Sequence, residues 1–174
     1  MRCPGLPQVK YLRLQYCIMQ AKKAHSRPRR RPIEPKALLL IVNDGKMLLS
    51  RSRDGSYVRP PGGHIEYFEH SKTAVRREIM EEISSGINDL RLEKIVENLF
   101  HYRGRKLHDI YFIYSGTLTN KALYTTDPIA GDENGDLKNF YWIKVSDILS
   151  GKERLVPGGL LGIVARLNKS EHHT

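Results

Sequence analysis

Cysteine is nearly absent from this chain: Cys3 and Cys17 are the only two, and both lie in an N-terminal stretch without core character. No disulfide can therefore form anywhere beyond residue 17, which fits a reducing compartment, and the cytoplasm is the expected location. A chain of 174 residues is long enough to bury a core without such staples. Long apolar runs are absent too. The longest clean one, Ala37 to Val42, is strand-sized, so no membrane span is expected. Acids are missing from residues 1–33, which carry nine basic residues. The other 20 basic residues share residues 34–174 with all 19 acids, so the net charge of +10 leaves that part only +1. The basicity belongs to an arm, and nucleic acid is not an expected partner of the domain behind it.

Residues 1–35, with the run Arg27 to Pro32 (RPRRRP), read as a basic, disordered N-terminal arm, with room for a short helix around Tyr11 to Met19. Three readings stay open. An Arg-rich, acid-free start suits an organelle presequence, although Ser26 is its single serine. It also suits a contact with a phosphate backbone. The third reading is a solvated tail, or a translation start that belongs at Met19. No function is assigned to the arm.

From Lys36 the pattern becomes regular, and residues 36–170 read as one domain, with 171–174 a tail. Lys36 to Asn43 and Lys46 to Arg53 read as strands joined by a turn at Asp44–Gly45. Ser56 to Arg59 leads into the loop Pro60-Pro61-Gly62-Gly63. Helical spacing runs from Glu69 to Ser85. Leu90 to Phe100 and Leu107 to Leu118 read as strands around Arg103-Gly104-Arg105. An acidic loop, Gly131 to Asp136, precedes a strand at Asn139 to Ile143. Val145 to Leu149 reads as a short helix, and Pro157 opens a last helix to about Leu167. Strands and helices interleave, so the fold class is α/β.

The stretch Pro61 to Gly86 carries the chemistry. On a helix, Glu78, Glu81 and Glu82 stand at i, i+3 and i+4, which places three carboxylates on one face. Val75, Ile79 and Ile83 form an apolar row on another. Like charges at that spacing destabilise a helix by roughly 0.2–0.5 kcal/mol per pair. The cluster suits a bound hard divalent cation, magnesium or manganese; a solvated acidic face reads equally well from these residues alone. Gly62 and Gly63 in front of the helix allow a tight turn whose backbone groups can approach a ligand. Glu69 near the helix start suits its dipole, and Ser71 is a candidate cap.

These residues resemble the signature of the Nudix (MutT-like) hydrolases, G-x5-E-x7-R-E-U-x-E-E-x-G-U, where U is bulky and aliphatic. Gly63, Glu69, Arg77, Glu78, Ile79, Glu81 and Glu82 match it in order. Six fixed positions match by chance on the order of once in 10⁵ chains of this length. The last two positions depart. Ser84 and Ser85 stand where glycine and an aliphatic residue belong, and Gly86–Ile87 come two residues late. A glycine there would stop the helix in a left-handed conformation, so the delay is expected to extend the helix end without moving the three acids.

The resemblance implies a Nudix-type α/β/α sandwich with a mixed central sheet. It implies attack of water on phosphorus in a nucleoside diphosphate linked to another group, with Mg2+ (or Mn2+) as cofactor. Glu78, Glu81, Glu82 and the Gly63 carbonyl would hold the metal, and Glu78, Glu82 and a loop acid, first Glu133, would be catalytic. Glu69 and Arg77 would form a structural salt bridge. Arg51, Arg59 and His64 are candidate phosphate contacts, or plain solvent-facing cations. The partner expected is a small nucleotide diphosphate derivative; the oligomeric state is open, a homodimer included. A damaged nucleoside triphosphate, a nucleotide sugar and a capped RNA all remain open as substrates. The rival reading is a Nudix-fold regulatory module that has lost catalysis and binds nucleotide or nucleic acid.

Overall fold

The structure is a computed structural model and describes residues 33–102, 104–133 and 136–171, without the side chains of 133, 136, 137 and 171. The chain enters the sheet at β1, Glu34–Leu40, which continues past Ile41 into the two-residue β2, Val42–Asn43. A turn with positive φ at Asp44 and Gly45 returns it as β3, Lys46–Arg51. Then come β4 (Val58–Arg59), β5 (Gly62–His64), α1 (Ser71–Ile83), the long hairpin β6 (Ile87–Tyr102) and β7 (Arg105–Leu118), and a 3₁₀ turn, Lys121–Thr125. The hairpin β8 (Ile129–Glu133) and β9 (Asp136–Lys144) and the helices α2 (Val145–Leu149) and α3 (Leu161–Glu171) complete it.

Two sheets share these strands, in the orders β5-β1-β7-β6 and β2-β3-β9-β8, with β4 beside β3. The β1–β7 pair is parallel and the other pairs are antiparallel, so the sheet is mixed. The run Ala37 to Val42 shows why: it is buried on both faces. Ala37, Leu39 and Ile41 pack with Ala74, Val75 and Ile79 of α1, whereas Leu38, Leu40 and Val42 pack with Ile148, Leu160 and Val164 on the α2–α3 side. A strand covered on both sides needs an unbroken apolar run rather than alternation. The result is an α/β/α sandwich.

Several boundaries differ from those the residue pattern suggests. β1 begins at Glu34, two residues into the expected arm, because Pro35 stands near the strand start, where its missing N–H costs least. Residues 1–32 of the arm lie outside the described residues. Of the acidic stretch expected as a loop, Gly131 to Glu133 instead belong to β8, with Asp132 opposite Leu137. The last helix starts at Leu161, past Pro157, since Gly158 and Gly159 (φ 79°) continue the turn. The helix that carries the acids does not run on past Ser84. Ser84 itself takes the left-handed conformation (φ 52°, ψ 45°) and donates its N–H to the Met80 carbonyl. The helix therefore ends where a signature glycine would end it, at the cost of roughly 1 kcal/mol for a residue with a Cβ. Nor does Ser71 cap this helix: His70 is the N-cap residue, and the Ser71 hydroxyl pairs with Tyr114 Oη at 2.8 Å.

Candidate active site

Helix α1 packs against β5, β8 and β1, and its apolar row Val75, Ile79 and Ile83 is buried in the core. That anchoring fixes which way the acids one turn on must face. Glu82 is 3% exposed and reaches the glycine strand, where its carboxylate accepts the Gly62 N–H at 2.7 Å. Its other oxygen accepts Lys138 Nζ from β9 at 2.8 Å. Glu78 packs on the next residue: a Cβ built on Gly63 would lie 2.5 Å from Glu78 Oε2. Glu81 points outward and is 57% exposed.

Arg77 ties the loop to the helix. Its Nε and Nη2 each lie 3.0 Å from an oxygen of Glu69, a bidentate fork, and Nη2 donates to the His64 carbonyl at 2.9 Å. Its Nη1 lies 3.0 Å from both Glu78 Oε1 and Glu81 Oε2. One guanidinium thus spends its whole donor set holding β5, the following loop and α1 in register.

Burial pushes the carboxyls of Glu78 and Glu82 above the ordinary carboxylate range, against the opposing pull of Arg77 on Glu78 and of Lys138 on Glu82. Glu69 goes the other way, held below the ordinary range by the Arg77 fork. A depressed native pKa stabilises the fold above the unfolded carboxylate pKa, near ~4.3, and that contribution is lost as pH falls through the native value. Glu69→Gln is therefore expected to destabilise by about 1 kcal/mol at neutral pH, and the gap from wild type should narrow as the carboxyl of Glu69 is protonated in acid. Urea denaturation across a series of pH values checks it; a gap independent of pH removes the ion pair from the account.

The cations singled out in the sequence divide. Arg59 and His64 line a cleft beside Gly62 and Gly63, and His64 Nε2 lies 3.2 Å from Glu34. Arg51 lines no part of that cleft: both its terminal nitrogens pair with the Glu153 carboxylate, at 2.6 and 2.8 Å. The Glu133 side chain lies outside the described residues. Lys138 was not singled out. It meets Glu82 across 56 positions of sequence, and only the β3–β9 and β8–β9 pairings bring it there, so no local pattern could have marked it.

Among the described residues no three acidic, histidine or cysteine side chains converge on one point as an ion site. The carboxylates rest on cationic heads instead, Glu78 and Glu81 on one nitrogen of Arg77 and Glu82 on Lys138. The donor chemistry nevertheless suits a divalent cation. Hard carboxylate oxygens stand on adjacent turns, two are partly or fully buried and need countercharge, and the glycine beside them leaves the space a Cβ would fill.

Fold and site together define a class: a mixed-sheet α/β/α sandwich whose acidic helix faces a glycine strand. The model of the NUDIX domain matches residues 33–161, and the chain belongs to the NUDIX family, as a Nudix hydrolase. Solved structures share the fold. The MutT NUDIX hydrolase from Burkholderia pseudomallei is 20% identical, with a TM-score of 0.52 over 68% of this chain and 88% of that one. A NUDIX hydrolase from Nitrosomonas europaea is 19% identical (TM-score 0.55, 81% and 90%), and the MutT protein from Methanosarcina mazei Go1 is 21% identical (0.52, 83% and 99%). At these identities the likeness is one of fold. Membership carries the coarse activity, hydrolysis of a pyrophosphate bond in nucleotide-type small molecules, and divalent metals serve the family generally. No helix among the described residues is long and apolar enough to cross a membrane.

Proposed function

We propose that this protein hydrolyses a diphosphate bond in a nucleoside diphosphate linked to another group, with Mg2+ (or Mn2+) as cofactor. The observation that carries this reading is the seating of Glu78 and Glu82 on Gly62 and Gly63. Glu78, Glu81, Glu82 and the Gly63 carbonyl would hold the cation. When bound, a divalent cation neutralises the diphosphate and lowers the pKa of water. Phosphoryl transfer otherwise asks mainly for positioning. Arg59 and His64, beside the glycine strand, orient the phosphates. Glu78, or the loop acid Glu133, accepts the proton of the attacking water. Glu69 and Arg77 take no part in the chemistry and keep the loop on the helix. The cytoplasm remains the proposed location.

A panel of nucleoside diphosphate derivatives, incubated with magnesium or manganese and read as phosphate after phosphatase coupling, tests it. Metal-dependent release from at least one compound, abolished by chelator, is expected. No release from any of them, with nucleotide binding retained, returns the chain to the rival reading of an inactive binding module.

A further inference from the structure

Lys138 has no part in the reaction proposed above, yet it is built into the site. Its Nζ lies 2.8 Å from Glu82 Oε1, with 12% of the lysine side chain and 3% of the glutamate side chain exposed. The ammonium also stands 5.0 Å from the ring centre of Phe140, which is fully buried in the core beneath α1. This approach depends on Gly131, the cross-strand partner of Lys138 in β8. A Cβ on Gly131 would lie 2.6 Å from the Glu82 carbonyl oxygen and 2.7 Å from the Phe140 ring. The missing side chain lets the β8–β9 hairpin close on the helix at Glu82, and that closure brings the lysine in.

A buried ion pair costs desolvation on both sides, and well-packed apolar groups often serve stability as well or better. Stability alone is therefore a poor reason to build this one. What Lys138 supplies is charge. A buried carboxylate without countercharge is strongly destabilising, and the lysine provides that charge from within the chain. It does so on the same carboxylate that the proposed cation would use. A second positive charge there meets repulsion where the ammonium stays, and costs the ammonium its own pairing where it moves.

We propose that Lys138 is a positioning residue that stands in for the cation. It holds the Glu82 carboxylate against Gly62 until metal binds, and it sets the metal affinity of the site by competing for that carboxylate. The proposal rests on the reading of Glu82 as a metal ligand in a nucleotide diphosphate hydrolase, and adds what keeps that ligand in place without metal. Mn2+ binding to the full chain without substrate, followed by the electron paramagnetic resonance signal of the free ion, tests it apart from turnover. Lys138→Met should bind Mn2+ about fivefold or more tightly than wild type. Lys138→Arg, which keeps the charge, should stay within about twofold of wild type. With chelator present, Lys138→Met should melt below wild type, and Mn2+ should raise its Tm by more than it raises that of wild type. If Lys138→Met does not fold without metal, Lys138→Gln, which keeps a donor for Glu82, serves for the same comparison. A lysine that only packs the hairpin would leave Mn2+ affinity unchanged or weakened on substitution, and that result overturns the proposal. Equal tightening by Lys138→Arg and Lys138→Met also overturns it, as does a chain that binds no Mn2+ in any form. Unchanged affinity in a protein that hydrolyses a nucleotide substrate leaves the proposed reaction standing. Tighter Mn2+ binding by Lys138→Met in a protein that hydrolyses nothing supports the role of Lys138 and removes the reaction.

Discussion

Glu82→Gln is expected to leave a folded protein with almost no hydrolytic activity, kcat/KM falling by roughly 10²–10⁴ under saturating metal. Glutamine keeps the shape and an acceptor for the Gly62 N–H, so the β5 end stays anchored. It removes the negative charge, which is what the proposed cation needs. The effect on stability should be small, because two opposing effects meet at a side chain 3% exposed. Burial raises the Glu82 pKa, so the ionised carboxylate destabilises the fold as pH rises through the unfolded value, and the amide removes that penalty. Against this, Lys138 loses its anionic partner. A Tm within about 5 °C of wild type is expected. Kinetics at several metal concentrations, with thermal denaturation alongside, check both halves. Near-wild-type turnover would take Glu82 out of the mechanism.

The two adjacent glycines should fail in different ways. Gly62 has a φ of 123°, and a Cβ there would lie 2.2 Å from the Ala37 carbonyl oxygen. That oxygen belongs to the β1 backbone, which pairs with β5 on one side and β7 on the other, so it cannot withdraw without opening the sheet. Gly62→Ala is expected to cost more than about 4 kcal/mol, and poor soluble yield or early denaturation would report it. At Gly63 the obstacle is the Glu78 carboxylate, with atoms 2.5 to 2.7 Å from the added methyl. That is the far end of a flexible chain, and the backbone at Gly63 is not left-handed. Gly63→Ala should therefore fold, lose about 1–2 kcal/mol from the displaced Arg77 contact, and lose activity by roughly 10² or more. Urea denaturation and kcat/KM on both variants separate the cases. If Gly63→Ala kept full activity, the seating of Glu78 would have no catalytic meaning.

Legibility followed the range of the interactions. The Glu78, Glu81 and Glu82 spacing, the apolar row of α1 and the doubly buried run Ala37 to Val42 are short-range patterns, readable from periods of 3.6 and from unbroken hydrophobicity. The Glu69–Arg77 pair is eight residues apart and was implied by the motif. The helix end at Ser84 is not legible from a missing glycine; the next strand, starting at the buried Ile87, demands the turn there whatever the residue. Arg51 and Lys138 were beyond reach for one reason. Their partners, Glu153 and Glu82, lie 102 and 56 positions away, and a charge in a strand gives no sign of what will face it.

What the residues determined alone was the family, the α/β class and the identity of the acidic helix, because each depends on spacing within some twenty positions. Tertiary structure decided which acids reach the glycine strand and which cations neutralise them. Those outcomes depend on strand pairing and on the direction in which a packed helix is held, and electrostatic energy at a few ångströms is sensitive to both.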